Sequence, residues 1–134
     1  MKTHVLAGID IVESIASGFH VGAGQHVGVL RNIVRYHHEA YDGTGYLSGC
    51  AGRHIPLEAR IVTVADVFDA LTTQRCYKSA WSNDDAFALL RKLSGRRFDP
   101  DCVTALIANR QKVEMIQRQF RSNNVFHEAY TEDL

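Results

Sequence analysis

The segment Ile61 to Leu71 constrains the fold most. Ile61, Val62, Val64, Ala65, Phe68 and Leu71 recur at helical spacing and carry Asp66 and Asp69 among them, which predicts a central, strongly apolar helix opened by Pro56. A carboxylate buried in such a helix without a partner costs several kcal/mol, roughly. Asp66 therefore asks for compensation, either by a metal ion or by a hydrogen-bonded or arginine-paired structural role. Asp69, three residues on, shares its face and is placed to orient a basic residue.

The neighbouring segments read in the same way. Val5, Leu6, Ile9, Val12 and Ile15 predict an amphipathic helix over Thr3 to Ile15 that ends before Gly18, followed by a loop from Gly18 to Gly28. Val27, Leu30, Ile33, Val34 and His37 predict a second helix that delivers His37-His38-Glu39 at its C-terminal end. Gly43, Gly45, Gly49 and Gly52 between Tyr41 and Pro56 are too many for a helix interior and predict an ordered loop with several positive-φ positions. Ser82 with Asp84 and Asp85 caps a helix through Leu93 that Gly95 ends. Asp99-Pro100 opens a last one through Val103, Leu106, Ile107 and Val113 towards Phe120. No segment alternates with period two, so the expected class is all-α, one domain over residues 1–120 with a polar tail over 121–134.

Composition narrows the function. Lys plus Arg and Asp plus Glu are 15 each, so no overall field draws in nucleic acid or an anionic membrane, and any anionic ligand must be held by a local cluster. Cys50, Cys76 and Cys102 are odd in number and outside any Cys-x-x-Cys pattern, which argues against disulfides or a thiolate zinc site and points to a reducing cytosol. No stretch of about 20 residues is apolar enough to span a bilayer.

The candidate chemistry is local. Adjacent imidazoles at His37 and His38 can reach two metal ions or two sides of one centre; surface or capping histidines are the plainer alternative. Arg75 and Lys78, flanking Tyr77, make a compact positive patch suited to phosphate oxygens, or a pair of solvated cations. Tyr46 offers a ring for a base or a hydroxyl for a phosphate, or packs against the domain. His4 could reach a metal from the first helix. His20, His26, His54 and His127 carry no readable pattern.

Taken in order and spacing, Met1-Lys2-Thr3-His4, His37-His38-Glu39, Tyr41-Asp42-Gly43-Thr44-Gly45-Tyr46, Ile55 to Val62, Val64 to Leu71, Arg75-Cys76-Tyr77-Lys78, Ala80-Trp81-Ser82 and Phe98-Asp99-Pro100 resemble the HD-GYP family over residues 1 to 115. The resemblance implies a helical bundle of the HD-domain type. It also implies two or three divalent metal ions, iron or manganese, and hydrolysis of cyclic di-GMP to a linear dinucleotide or GMP. By motif, His4, His37, His38 and Asp66 would be metal ligands, and Tyr46, Asp69, Arg75 and Lys78 the substrate side of the pocket.

Three departures accompany it. The family's Gly-Tyr-Pro reads Gly45-Tyr46-Leu47, and the proline after the arginine is Cys76. The family's His-Asp dyad and the lysine after it lie upstream of the Met1-Lys2-Thr3-His4 motif, which leads to the expectation of a bundle truncated at its N-terminus, half a metal cage, impaired turnover and an exposed apolar patch open to self-association. The alternatives are a non-catalytic module that binds cyclic di-GMP or a partner such as a sensory or diguanylate cyclase domain, and a gene remnant.

Overall fold

The computed structural model describes residues 9–11, 14–15 and 24–131. Residues 9–11 and 14–15 have helical backbone, within the span expected for the first helix; the remainder of that span, His4 included, lies outside the described residues. Five helices follow: α1 (Gly24–Tyr36), α2 (Leu57–Thr72), α3 (Asn83–Leu93), α4 (Pro100–Ala108) and α5 (Arg110–Thr131), with one 3-10 turn at Gly52–His54. Among the described residues there is no strand, only isolated bridges, so the fold is all-α.

Local chemistry sets the ends. Ser82 caps α3, its hydroxyl accepting from the Asp85 N–H at 3.1 Å, with Asp84 and Asp85 in the first turn and Arg91 and Lys92 in the last, where each sign suits the helix dipole. Gly95, at φ 80°, then takes the chain out of the helix. Pro56 stands at the N-cap of α2 rather than inside it. α1 starts at Gly24, inside the segment expected to be loop, and stops at Tyr36, so that His37 and His38 occupy a turn rather than the helix.

The chain divides into two compact units, Met1–Val103 and Thr104–Leu134. In the first, α1 packs on α2 and α2 on α3. Ala59, Val64 and Phe68 from α2 meet Ala86, Phe87 and Leu90 from α3 in a core that also takes Ile55, Phe98 and Val103. Phe68 and Phe87 stack with centroids 5.2 Å apart and planes 11° from parallel, an arrangement that adds about 1 kcal/mol to the area they bury. Val29 and Leu30 on α1 and Leu57 and Ile61 on α2 remain exposed.

At the C-terminal end, the single helix expected from Pro100 towards Phe120 is two. Asn109 interrupts it: its side-chain amide donates to the Ala105 carbonyl at 2.8 Å, while its N–H is shared between the Ala105 and Leu106 carbonyls at 3.2 Å each. α5 then continues to Thr131, across the boundary placed at residue 120. The segment after Arg121 is polar but holds no Gly or Pro, and polarity alone does not stop a helix.

Candidate functional site

The end of α1 and the glycine loop form one structure. His37 lies just past α1, its N–H still donating to Ile33 at 3.0 Å, and its Nδ1 lies 2.8 Å from the Ile33 carbonyl and 3.1 Å from the Val34 carbonyl. Carbonyls only accept, so Nδ1 carries the proton and Nε2 the lone pair. Such a backbone-fixed tautomer is common among metal-ligating histidines and also caps a helix terminus. The Thr63 hydroxyl on α2, 2.8 Å from both the His37 and Ala59 carbonyls, ties this turn to the central helix.

Three rings follow one another: His38 lies 4.0 Å from His37, tilted by 42°, and stacks on Tyr46 at 5.0 Å and 17°. The Tyr46 hydroxyl is buried and meets no hydrogen-bond partner among the described residues. Tyr46 thus lends its ring to the histidine, and its hydroxyl is turned away from solvent.

Glu39, which the histidine motif contains but whose role its pattern does not reveal, is only 3% exposed. Its Oε1 accepts from the Ser48 N–H at 2.6 Å and the Gly49 N–H at 3.2 Å, while Oε2 is buried and meets no donor among the described residues. The carboxylate therefore holds the far side of the glycine loop against the turn that carries His37 and His38. It also lines a cavity of about 10 Å³ with Thr63, Arg60 and Asp99, space for about one water molecule.

Backbone geometry explains the loop's composition. A Cβ on Gly45 would come within 2.2 Å of the Ala40 nitrogen and 2.5 Å of the Glu39 Cα, so no other residue fits. Gly43, Gly49 and Gly52 adopt positive φ, as expected. Leu47 does so too, at φ 105°. This is the position at which the resembled family has proline, whose ring fixes φ near −65°. Asp42 closes the loop's tip, accepting from the Thr44 hydroxyl at 2.6 Å and the Thr44 N–H at 3.0 Å, and these bonds hold its carboxyl below the ordinary range. The Tyr41 and Asp42 N–H groups donate to Arg97 and Arg96, anchoring the loop's start to the turn after α3.

Asp66 departs from the expectation that drew attention to it. It is exposed, because at about 100° per residue it sits about 200° round the axis from buried Val64, so its charge stays in water and needs no compensation. Among the described residues no three of His, Cys, Asp and Glu come together in a metal-sized group, so His37, His38 and Asp66 are not gathered into one. The imidazole chemistry suits a metal; the number of donors does not close a site.

Asp66 and Asp69 lie instead towards the turn that follows α2. Arg75 and Lys78 exchange backbone hydrogen bonds at 3.1 Å in both directions, and the Arg75 guanidinium donates to the Tyr77 hydroxyl at 3.2 Å. That bond first, then the Tyr77, Asp69 and Asp66 charges, push the Arg75 pKa up from its ordinary value. Asp69 accepts from the Thr73 hydroxyl at 3.2 Å. The Lys78 ammonium donates to the Leu71 carbonyl at 3.0 Å, capping the negative end of α2 with one of its three protons.

The expected site residues thus fall into two groups on one scaffold, a His37-His38-Tyr46 stack and an Asp66-Asp69-Arg75-Lys78 patch at the C-terminal part of α2. The HD domain family model matches residues 9–102. This chain belongs to the HD domain family. Its Gly45-Tyr46 loop and its relatives place it in the HD-GYP branch. It is 48% identical over 120 residues to the cyclic di-GMP phosphodiesterase response regulator RpfG of Xanthomonas campestris, across 90% of this chain and 30% of that protein. It is 40% identical over 121 residues to a cyclic di-GMP phosphodiesterase of Vibrio cholerae, across 90% of this chain and 24% of that protein. A crystal structure of a Vibrio cholerae cyclic GMP-AMP specific phosphodiesterase superposes with a TM-score of 0.53 at 28% identity, over 64% of this chain and 19% of that one. The chain therefore spans a third or less of the length of these relatives. No helix among the described residues is long and apolar enough to cross a membrane.

Proposed function

We propose that this HD domain forms part of a metal-dependent phosphodiesterase site that hydrolyses cyclic di-GMP to the linear dinucleotide or GMP. The observation that carries the reading is His37: its Nδ1 proton is committed to the Ile33 and Val34 carbonyls, leaving Nε2 as the coordinating nitrogen in a ring 4.0 Å from that of His38. The names of the relatives support the substrate class.

In this reading His4, His37, His38 and Asp66 are the metal donors, of which iron or manganese, two or three ions, is the expected occupant. Metal binding is coupled to the ordering of its ligands, so donors that stand apart in the metal-free chain would have to be drawn together on binding. Arg75 and Lys78 hold the phosphodiester, Asp69 holds Arg75 in place, and Tyr46 bounds the pocket from the glycine loop. Incubating the purified chain with Mn²⁺ or Fe²⁺ and cyclic di-GMP, and separating products by chromatography, tests it. Hydrolysis that disappears in His37→Ala and Asp66→Asn is the expected result; metal-loaded chain that turns nothing over rejects catalysis by this chain on its own.

A second reading is favoured by the absence of a three-donor group among the described residues. In it the domain binds cyclic di-GMP, or a sensory or diguanylate cyclase domain, without hydrolysing anything. Binding of cyclic di-GMP that persists in EDTA, with no product, selects it.

A further inference from the structure

We propose that the turn after α2 carries a nucleobase platform, in which the Tyr77 ring, with Trp81 beyond it, takes a purine base of a cyclic dinucleotide while Arg75 and Lys78 meet its phosphates. This deepens the reading above and rests on it.

Tyr77 is 77% exposed, more than any other large apolar side chain among the described residues, and Trp81 is 43% exposed. Neither belongs to a loose segment. The Arg75–Lys78 backbone pair closes the turn, the Ala80 N–H donates to the Gln74 side chain at 3.1 Å, and the Trp81 N–H donates to the Leu71 carbonyl at 2.8 Å. The Lys78 ammonium uses the same Leu71 carbonyl at 3.0 Å, so the cation and the Trp81 backbone meet at one atom. The Tyr77 hydroxyl accepts from Arg75 at 3.2 Å, and the body of the ring stands in solvent.

An aromatic side chain has only two torsions to lose, and the backbone that carries this one is already held by the turn, so a flat ligand meets it at low conformational cost. The flanking charges decide which flat ligand. The cores of protein interfaces are depleted of lysine, whereas binders of nucleotides pair stacking rings with cations that track the phosphates. Two cations and two aromatic rings between Arg75 and Trp81 fit a molecule that joins purines to phosphodiesters.

The ring, not the hydroxyl, is then the affinity determinant. The test is calorimetric titration of the full chain with cyclic di-GMP, for the native sequence, Tyr77→Leu and Tyr77→Phe, with circular dichroism confirming the helical content of each. Tyr77→Leu should bind roughly ten- to a hundredfold more weakly, the range for loss of one base–aromatic stack, and Tyr77→Phe within about threefold of the native chain. A 2-aminopurine analogue of the ligand should be quenched on binding the native chain and the Phe variant only. Native affinity in Tyr77→Leu, with the native chain binding normally, overturns the platform and leaves the substrate reading standing. A native chain that binds no cyclic di-GMP overturns both.

Discussion

Arg60 on α2 and Asp99 just ahead of α4 form an ion pair that is nearly out of solvent, with side chains 15% and 2% exposed. Both partners are otherwise satisfied: Arg60 Nε donates to the Ile55 carbonyl at 2.9 Å, and Asp99 Oδ1 accepts from the Asp101 N–H at 2.8 Å and the Cys102 N–H at 3.4 Å. One carboxylate therefore caps the first turn of α4 and pairs with α2 within the same unit. Removing one partner leaves the other charge buried, so Arg60→Ala or Asp99→Ala should destabilise the fold by about 3 kcal/mol, the lower end for a buried pair because Arg60 keeps some solvent. Urea denaturation of each variant measures it.

The same pair sets an acid limit. Burial pushes the Asp99 pKa up, but the Arg60 hydrogen bond and the two N–H donors outweigh it and hold the carboxyl below its ordinary value of 3.8. A carboxyl depressed in the folded state contributes stability that is present in full above the ordinary value and is lost as pH falls through the folded one. Stability should therefore fall as pH drops below about 4, and Asp99→Asn should flatten that slope while lowering stability at neutral pH. Denaturation midpoints measured from pH 7 to pH 2 decide it.

Gly45 touches the chain where Glu39 meets Ala40, and a methyl there has no free space. Because the obstacles are backbone atoms, Gly45→Ala must displace the loop, at about 3 kcal/mol. The His38–Tyr46 stack should go with it, since Tyr46 follows directly. Loss of thermal stability together with changed His38 and Tyr46 ring chemical shifts is the expected signature; an unperturbed spectrum would contradict the packing.

What the sequence disclosed was local. The capping of α3 by Ser82, the stop at Gly95 and the apolar stripe of α2 all follow from neighbours within a turn or two. Arg60 and Asp99 are 39 positions apart, and nothing in their spacing joins them, although a charge next to the buried Ala59 calls for a partner. Asp66 itself was assigned inward from the apolar character of the whole segment, when its angle from Val64 placed it outward. Glu39 was read as the tail of a histidine motif, and its contacts lie nine and ten positions on, in backbone N–H groups that no side-chain pattern reveals.

Leu47 offers a test of the loop's shape. At φ 105° its Cβ is strained by about 1 kcal/mol, and glycine would relieve that while loosening the unfolded chain by a similar amount. Leu47→Gly should accordingly leave stability within about 1 kcal/mol of native. Leu47→Pro restores the Gly-Tyr-Pro of the resembled family, yet proline cannot reach this φ, so it should destabilise by about 3 kcal/mol. A stabilising proline would mean that the loop takes another conformation in solution.

Glu39 separates charge from geometry. Its Oε1 serves the Ser48 and Gly49 N–H groups, and Oε2 meets no donor among the described residues; Glu39 lines a cavity with Thr63, Arg60 and Asp99. In Glu39→Gln the amide oxygen can keep both N–H bonds, and an NH₂ replaces the second oxygen in a cavity that holds about one water molecule, which can accept from it. The loss of charge-assisted strength at Oε1 is then offset by the easier burial of a neutral group, and stability should stay within about 1 kcal/mol of native. Glu39→Ala removes the acceptor of two part-buried N–H groups on exposed residues, where water can replace it in part, and should cost about 1–2 kcal/mol. If the glycine loop is held by this acceptor and not by its charge, metal affinity at His37 and His38 follows the same order, Gln near native and Ala weakened; calorimetric Mn²⁺ titrations of both variants, alongside their denaturation curves, would show equal losses if charge were the cause.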